Sequence, residues 1–227
     1  MSILITRPYN IGINSQNKIS KLGKKSLLIP LIRIKYLNIE ISDSNYDYIV
    51  VTSQNAIATF RNNLWMKDKY ILVVGGKTKD LLLQKNCKKI LLCEENVSDL
   101  INNMYTKISS VSNILYICGD HLSYDLEGSL KSNSYNITSK VVYTSDAITE
   151  LSKNEIAQIN EVVEIVMLYS PRTAKIFVDL ALKYNLYTSN KIAICISNKC
   201  ANNIAKLQWM GVKVASSPNE IKMLELI

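Results

Sequence analysis

Short runs of β-branched and aliphatic residues alternate along this chain with polar-flanked segments whose apolar positions recur at helical spacing. The runs are Ile3–Ile5, Ser26–Ile29, Tyr48–Thr52, Ile71–Val74, Lys89–Leu92, Ile114–Ile117, Val163–Leu168, Lys191–Ile196 and Val212–Ala215. Strands regularly separated by helices predict an α/β protein with mainly parallel strands. Helix starts are marked by residues whose side-chain oxygen can satisfy a free N–H of the first turn. Ser53 before QNAIATFRNNL, Ser170 before Pro171, Ser197 before NKCANNIAKL and Ser217-Pro218 before NEIKMLELI are read as such starts. At Ser170-Pro171 the proline gives up an N–H that has no intrahelical partner.

The pattern repeats. YDYIVVTSQNAIATF, ILVVGGKTKDLL and KKILLCEENVSDL return in the second half as VEIVMLYSPRTAKIF, IAICISNKCANNI and VKVASSPNEIKML. Fainter echoes join SILITRP to NILYICGD, and IPLIRIKYL to ITSKVVYTS. Two related α/β units of ordinary domain size follow from this self-similarity.

Composition narrows the choice of chemistry. An apolar share of 48% with 20% charged residues is that of a folded globular chain. No run is long and apolar enough to span a bilayer, and MSILITRPYN lacks the features of a secretory leader, so a cytoplasmic protein is expected. Five cysteines in unpaired spacings fit a reducing compartment and predict neither a zinc site nor a disulfide framework. The net charge of +8 points to an anionic partner or to a lysine-rich codon bias, and charge alone does not choose between them. No stretch has the helix-turn-helix spacing or basic-aromatic interleaving of a nucleic-acid contact.

Gly75-Gly76-Lys77-Thr78 suggests a phosphate loop, but the glycine required five positions before Gly76 is Ile71, inside a strand. No dinucleotide fingerprint is present. His121, the single histidine, has Cys118 nearby but no further ligand to complete a metal shell, and no nucleophile for a hydrolytic triad. What remains are hydroxyls and free amides where strands end and helices begin: Thr52-Ser53, Gly76-Lys77-Thr78, Tyr169-Ser170 and Ser197-Asn198-Lys199. Such points favour carboxylates or phosphates, and their recurrence in both repeats suggests a ligand cleft.

These residues resemble, in order and over nearly the whole chain, the uroporphyrinogen-III synthase family. ILITRP, with Arg7, resembles the family's opening strand, and YDYIVVTSQNAI its strand-Thr-Ser-x-Asn-Ala signature through Thr52, Ser53, Asn55 and Ala56. VVGGKTKDLL is similar to its Val-Gly-x-x-Thr turn, ILYICGD with KVVYTS to its glycine strand end and Val-Tyr, and LYSPRTAKIF to its second Ser-Pro helix start. Where the family shows Ile-Gly-x-x-Thr in the second repeat, this chain has Ile196-Ser197-Asn198-Lys199-Cys200. The missing hydroxyl suggests that amides or Lys199 serve there instead.

The resemblance implies two flavodoxin-like parallel-sheet domains joined by a two-stranded β ladder. Domain 1 would take residues 1–34 and 146–227, domain 2 residues 39–138, and the ladder Leu31–Asn38 with Val141–Ala147. Two crossings of the chain would act as a hinge. It further implies a monomeric lyase acting on hydroxymethylbilane, a polyanionic tetrapyrrole, with no metal, cofactor, membrane or nucleic-acid partner. Tyr143 matches the family's catalytic tyrosine, a phenol that stays protonated at neutral pH and can donate to the departing hydroxyl. Arg7, Thr52, Ser53, Gly76, Lys77, Thr78, Tyr169, Ser170, Ser197, Asn198 and Lys199 are its candidate substrate contacts. A two-lobed anion-binding or regulatory protein of the same fold is the alternative.

Overall fold

The computed structural model describes residues 2–43 and 45–227. The strands are β1 (Ser2–Ile5), β2 (Lys25–Leu28), β3 (Ile32–Tyr36), β4 (Tyr48–Val51), β5 (Tyr70–Val74), β6 (Ile90–Glu94), β7 (Asn113–Gly119), β8 (Asn136–Ala147), β9 (Val163–Leu168), β10 (Ile192–Cys195) and β11 (Gly211–Val214). The α-helices are α1 (Tyr9–Lys21), α2 (Gly76–Gln84), α3 (Val97–Lys107), α4 (Leu126–Lys131), α5 (Lys153–Glu161), α6 (Pro171–Tyr184), α7 (Asn198–Asn203) and α8 (Glu220–Leu224). The chain divides into two compact units. Unit 1 holds the residues up to Arg33 together with Asp146–Ile227, and unit 2 holds Ile34–Ser145.

Unit 1 is built on a five-stranded sheet in the order β11-β10-β9-β1-β2, parallel throughout. Renumbered within the unit, this is the 2-1-3-4-5 order of flavodoxin-like folds, whose order reverses between β1 and β9. Ile3, Ile5, Ile165, Met167 and Ile194 supply one face of its core, against Ile19 of α1 and Met223 of α8.

Unit 2 repeats this plan. Its sheet runs β3-β8-β7-β4-β5-β6, and β4 to β8 are parallel. With β4, β5 and β6 matched to β9, β10 and β11, and β7 and β8 matched to β1 and β2, the two orders coincide; the echo of SILITRP in NILYICGD fits this match, whereas IPLIRIKYL, paired in the sequence with ITSKVVYTS, lies beyond β2 and contains β3. The central strands β4, β5 and β7 are buried on both faces, as parallel strands covered by helices are. Ile49, Val51, Ile71, Val73, Leu115 and Ile117 form one core layer, and Val50, Leu72, Ile114, Tyr116 and Cys118 the other.

Three local features differ from the sequence expectations. The strand expected at Val141–Ala147 begins at Asn136, and its first part pairs with β7, so one ladder strand is also a full member of the unit 2 sheet. Its neighbour β3 runs antiparallel to it: Leu37 N–H donates to the Val142 carbonyl at 2.9 Å, and Ile148 N–H to the Leu31 carbonyl at 3.0 Å. The segment after Ser53 is a 3-10 helix, Gln54–Arg61. The last helix is capped by Asn219, whose side chain accepts from Lys222 N–H, rather than by Ser217.

Candidate functional site

In unit 2 the strand order reverses between β4 and β7, and a cavity of about 600 Å³ opens at the carboxyl ends of these strands. This is where open α/β sheets place ligands. Its wall comprises Thr52 and Ser53 after β4, Val74 of β5, Asn96, Val97 and Ser98 at the start of α3, Tyr116 and Gly119 of β7, His121 to Tyr124 beyond it, and Tyr143 of β8.

The polar side chains are positioned by the strand ends. Thr52 Oγ1 and Tyr116 Oη share a hydrogen bond of 2.9 Å. Ser53 caps the 3-10 helix by accepting from Asn55 N–H at 3.3 Å. Tyr143 is buried, and its ring crosses β7 at Gly119, where a Cβ would stand 2.4–2.7 Å from its ring carbons and hydroxyl. Only a residue without a side chain permits that approach.

Burial raises the Tyr143 phenol above its ordinary value of 10.0, although hydrogen bonding with Ser53 and Asn55 draws it back. Burial likewise pushes Tyr116 up to about 12 against the bond to Thr52, and the Cys118 thiol up to about 11. Near neutral pH these groups are uncharged donors. The α3 N-terminus adds the positive end of a helix dipole, with Asn96 accepting from Asp99 N–H at 2.9 Å.

Of the residues expected at the site in this half of the chain, Thr52, Ser53 and Tyr143 meet in the cavity. Gly76 and Lys77 lie exposed in the first turn of α2, outside the wall, and Thr78 is buried beneath that turn. Gly75 precedes them at φ 85°, a left-handed conformation that suits glycine. Sequence reasoning does not reach Tyr116, Gly119, His121 and the Asn96–Ser98 turn as ligand contacts. A tyrosine within an otherwise aliphatic run and a Gly-Asp at its end are the available signals.

In unit 1 the equivalent reversal point carries Arg7, Tyr169 and Ser170. Arg7 lies over the Tyr169 ring at 4.6 Å and pairs with Glu220 at 2.9 Å. Ser15 and Lys18 of α1 bind the same carboxylate. Ser170 caps α6, accepting from Thr173 N–H at 3.0 Å, with its Oγ 2.7 Å from Thr173 Oγ1. Ser197 caps α7 through Cys200 N–H at 3.3 Å, and Asn198 and Lys199 are exposed.

At the turn that departs from the family pattern, the buried Cys200 thiol faces the carbonyls of Leu168 at 3.4 Å and Ser170 at 3.6 Å. Ser197 is extended, at φ −160°, where its counterpart Gly75 is left-handed. A side-chain cap has replaced a backbone turn. Among the described residues, no group of three or more His, Cys, Asp or Glu could hold a metal ion, and no helix is long and apolar enough to cross a membrane.

Two parallel sheets of one strand order, with a hydroxyl-rich cavity at the reversal point of one of them, define a two-unit, doubly wound α/β protein. Residues 14–225 match the family described as uroporphyrinogen-III synthase HemD, and the chain belongs to that family. An uncharacterized protein of Rickettsia prowazekii (strain Madrid E) is 26% identical over 248 residues, covering 88% of each chain. The fold is similar to that of a uroporphyrinogen-III synthetase from Helicobacter pylori 26695, with a TM-score of 0.70 at 18% identity over 89% of this chain and 91% of that one. It is also similar to that of a mutant uroporphyrinogen III synthase from the extremely thermophilic bacterium Thermus thermophilus, with a TM-score of 0.56 at 12% identity over 99% and 96%.

Proposed function

We propose that this protein is a uroporphyrinogen-III synthase, a lyase that closes hydroxymethylbilane into a ring with loss of water and inversion of the terminal pyrrole. The observation that carries the reading is the buried Tyr143 hydroxyl at the cavity's strand-end wall, with Ser53 and Asn55 as partners and Gly119 making room for its ring. Membership of the family supports it.

In this reading, expulsion of water from the hydroxymethyl carbon leaves an electrophilic azafulvene. The terminal ring attacks through its substituted carbon to give a spiro intermediate, which fragments and recloses with that ring reversed. The sequence of steps changes no net oxidation state, so no electron donor or acceptor is required. Holding the bilane so that this closure outruns the unassisted one is a positioning task. The neutral phenol of Tyr143 donates a hydrogen bond to the departing oxygen. Thr52, Ser53 and the amides of the Asn96–Ser98 turn take carboxylates.

Tyr143→Phe removes one oxygen from a packed ring. The reading expects turnover of hydroxymethylbilane to fall severalfold or more, with the thermal transition kept. A folded Tyr143→Phe protein that turns over at the parental rate contradicts the assignment.

A further inference from the structure

His121 stands in the wall of the unit 2 cavity, and among the lining residues it alone has a side chain that can carry positive charge. It does not stand free. Its Nδ1 lies 3.0 Å from Asp120 Oδ2. The other carboxylate oxygen of Asp120 accepts from Ser145 N–H at 2.9 Å and from Ser145 Oγ at 3.2 Å. Asp120 is thereby tied to β8 on one side and to the imidazole on the other. Its amide also donates to the Tyr143 carbonyl at 3.1 Å, so the strand segment that carries Tyr143 fixes the dyad as well.

A carboxylate at Nδ1 fixes the ring's tautomer and orientation and leaves Nε2 as the nitrogen that exchanges a proton. The other lining hydroxyls are poor acids in comparison. Serine and threonine scarcely ionise, and burial pushes Tyr116 up to about 12 and raises Tyr143. Among the lining side chains only the imidazole combines a proton-carrying nitrogen with an orienting carboxylate, the arrangement used in general acid–base catalysis.

We propose that the Asp120–His121 dyad is the general acid of the dehydration, with Tyr143 orienting the leaving oxygen and His121 supplying the proton. This rests on the function proposed above. The C–O bond of the hydroxymethyl group breaks with its electron pair going to oxygen, and the proton on His121 Nε2 passes to that oxygen to release water. The pyrrole nitrogen lone pair forms the azafulvene double bond. His121, now neutral, regains a proton when the substrate loses hydrogen on ring closure, so the cycle returns the enzyme to its starting state without any co-reactant.

The test is steady-state turnover of hydroxymethylbilane by the full chain, as wild type and as His121→Ala, with type III product separated from type I and with imidazole absent or present. The His121 side chain is exposed, so the variant puts the fold at risk only through the lost Asp120 contact, which circular dichroism checks. The dyad predicts that His121→Ala lowers kcat by roughly 100-fold, the usual range for a lost general acid, with KM changed less than about threefold and with partial restoration by imidazole. Parental kcat in the folded variant overturns the dyad while leaving the synthase reading intact. A loss seen only in KM, without rescue, also overturns it and makes His121 a carboxylate contact. Absence of type III product from the wild type itself refutes the synthase reading, a result separate from either.

Discussion

At Glu220, burial alone would raise the carboxyl's pKa, yet hydrogen bonds from Lys18 and Ser15 and the charges of Arg7 and Lys18 hold it below its ordinary 4.5. A carboxylate with a lowered folded value binds fewer protons in the native state than in the unfolded one. Its stabilisation is therefore present above about pH 4.5 and lost as the pH falls through the folded value. Glu220→Gln should destabilise the protein by roughly 2 kcal/mol at neutral pH, less than a fully buried pair because Lys18 keeps solvent contact. Urea unfolding at about pH 7 and pH 4 checks this, and the difference between wild type and variant should shrink at the lower pH. Tyr116 gives the opposite case. Raised from 10.0 to about 12, it contributes stability below pH 10 that disappears as the pH climbs through 12. Neither cluster was legible in the sequence, since Arg7 and Glu220 are 213 positions apart and only the fold of unit 1 brings them together.

The elements show how local chemistry sets the site. Gly75 turns the chain from β5 into α2 at φ 85°, and Gly75→Ala should cost about 1–2 kcal/mol, read as a lower urea midpoint. Gly119→Ala should act differently. Its Cβ would collide with the Tyr143 ring, so the ring must move, and turnover should fall more than stability does. Comparing kcat with the unfolding midpoint for this variant separates the two effects. Most strands were legible because parallel strands buried on both faces are continuous apolar runs. The 3-10 helix after Ser53 was not. The Asn63 side chain donates to the Thr59 carbonyl at 3.0 Å, occupying an acceptor that an α-helix would give to a backbone N–H, while its oxygen accepts from Ile41 N–H at 2.7 Å. The Thr59 carbonyl also accepts from Asn62 N–H at 3.3 Å, the tighter spacing of a 3-10 turn, and Asn63 is tied to Ile41, 22 positions away. The cap at Asn219 was missed for a simpler reason: Ser217-Pro218 matched the favoured cap-proline pair, and the true cap lies two residues on.

For the whole molecule, the internal repeat was the most informative feature of the sequence. It implied two related units, and the sheets β2-β1-β9-β10-β11 and β8-β7-β4-β5-β6 have the same order. Thr52-Ser53 and Tyr169-Ser170, paired by the repeat, stand at equivalent reversal points. The repeat could not say how each place would be furnished. In unit 1 the arginine is held by a carboxylate, and in unit 2 the cavity is walled by hydroxyls and one histidine. The net charge of +8 is not concentrated in that cavity, whose wall has no lysine or arginine among the described residues. The central claim is that this chain directs tetrapyrrole closure with ring inversion, and the most direct measurement is the isomer ratio of its product. Freshly made hydroxymethylbilane is given to the purified protein, the products are oxidised, and the type I and type III porphyrins are separated by chromatography. The account predicts predominantly type III, well above a protein-free control. Type I alone from a demonstrably folded protein would contradict it.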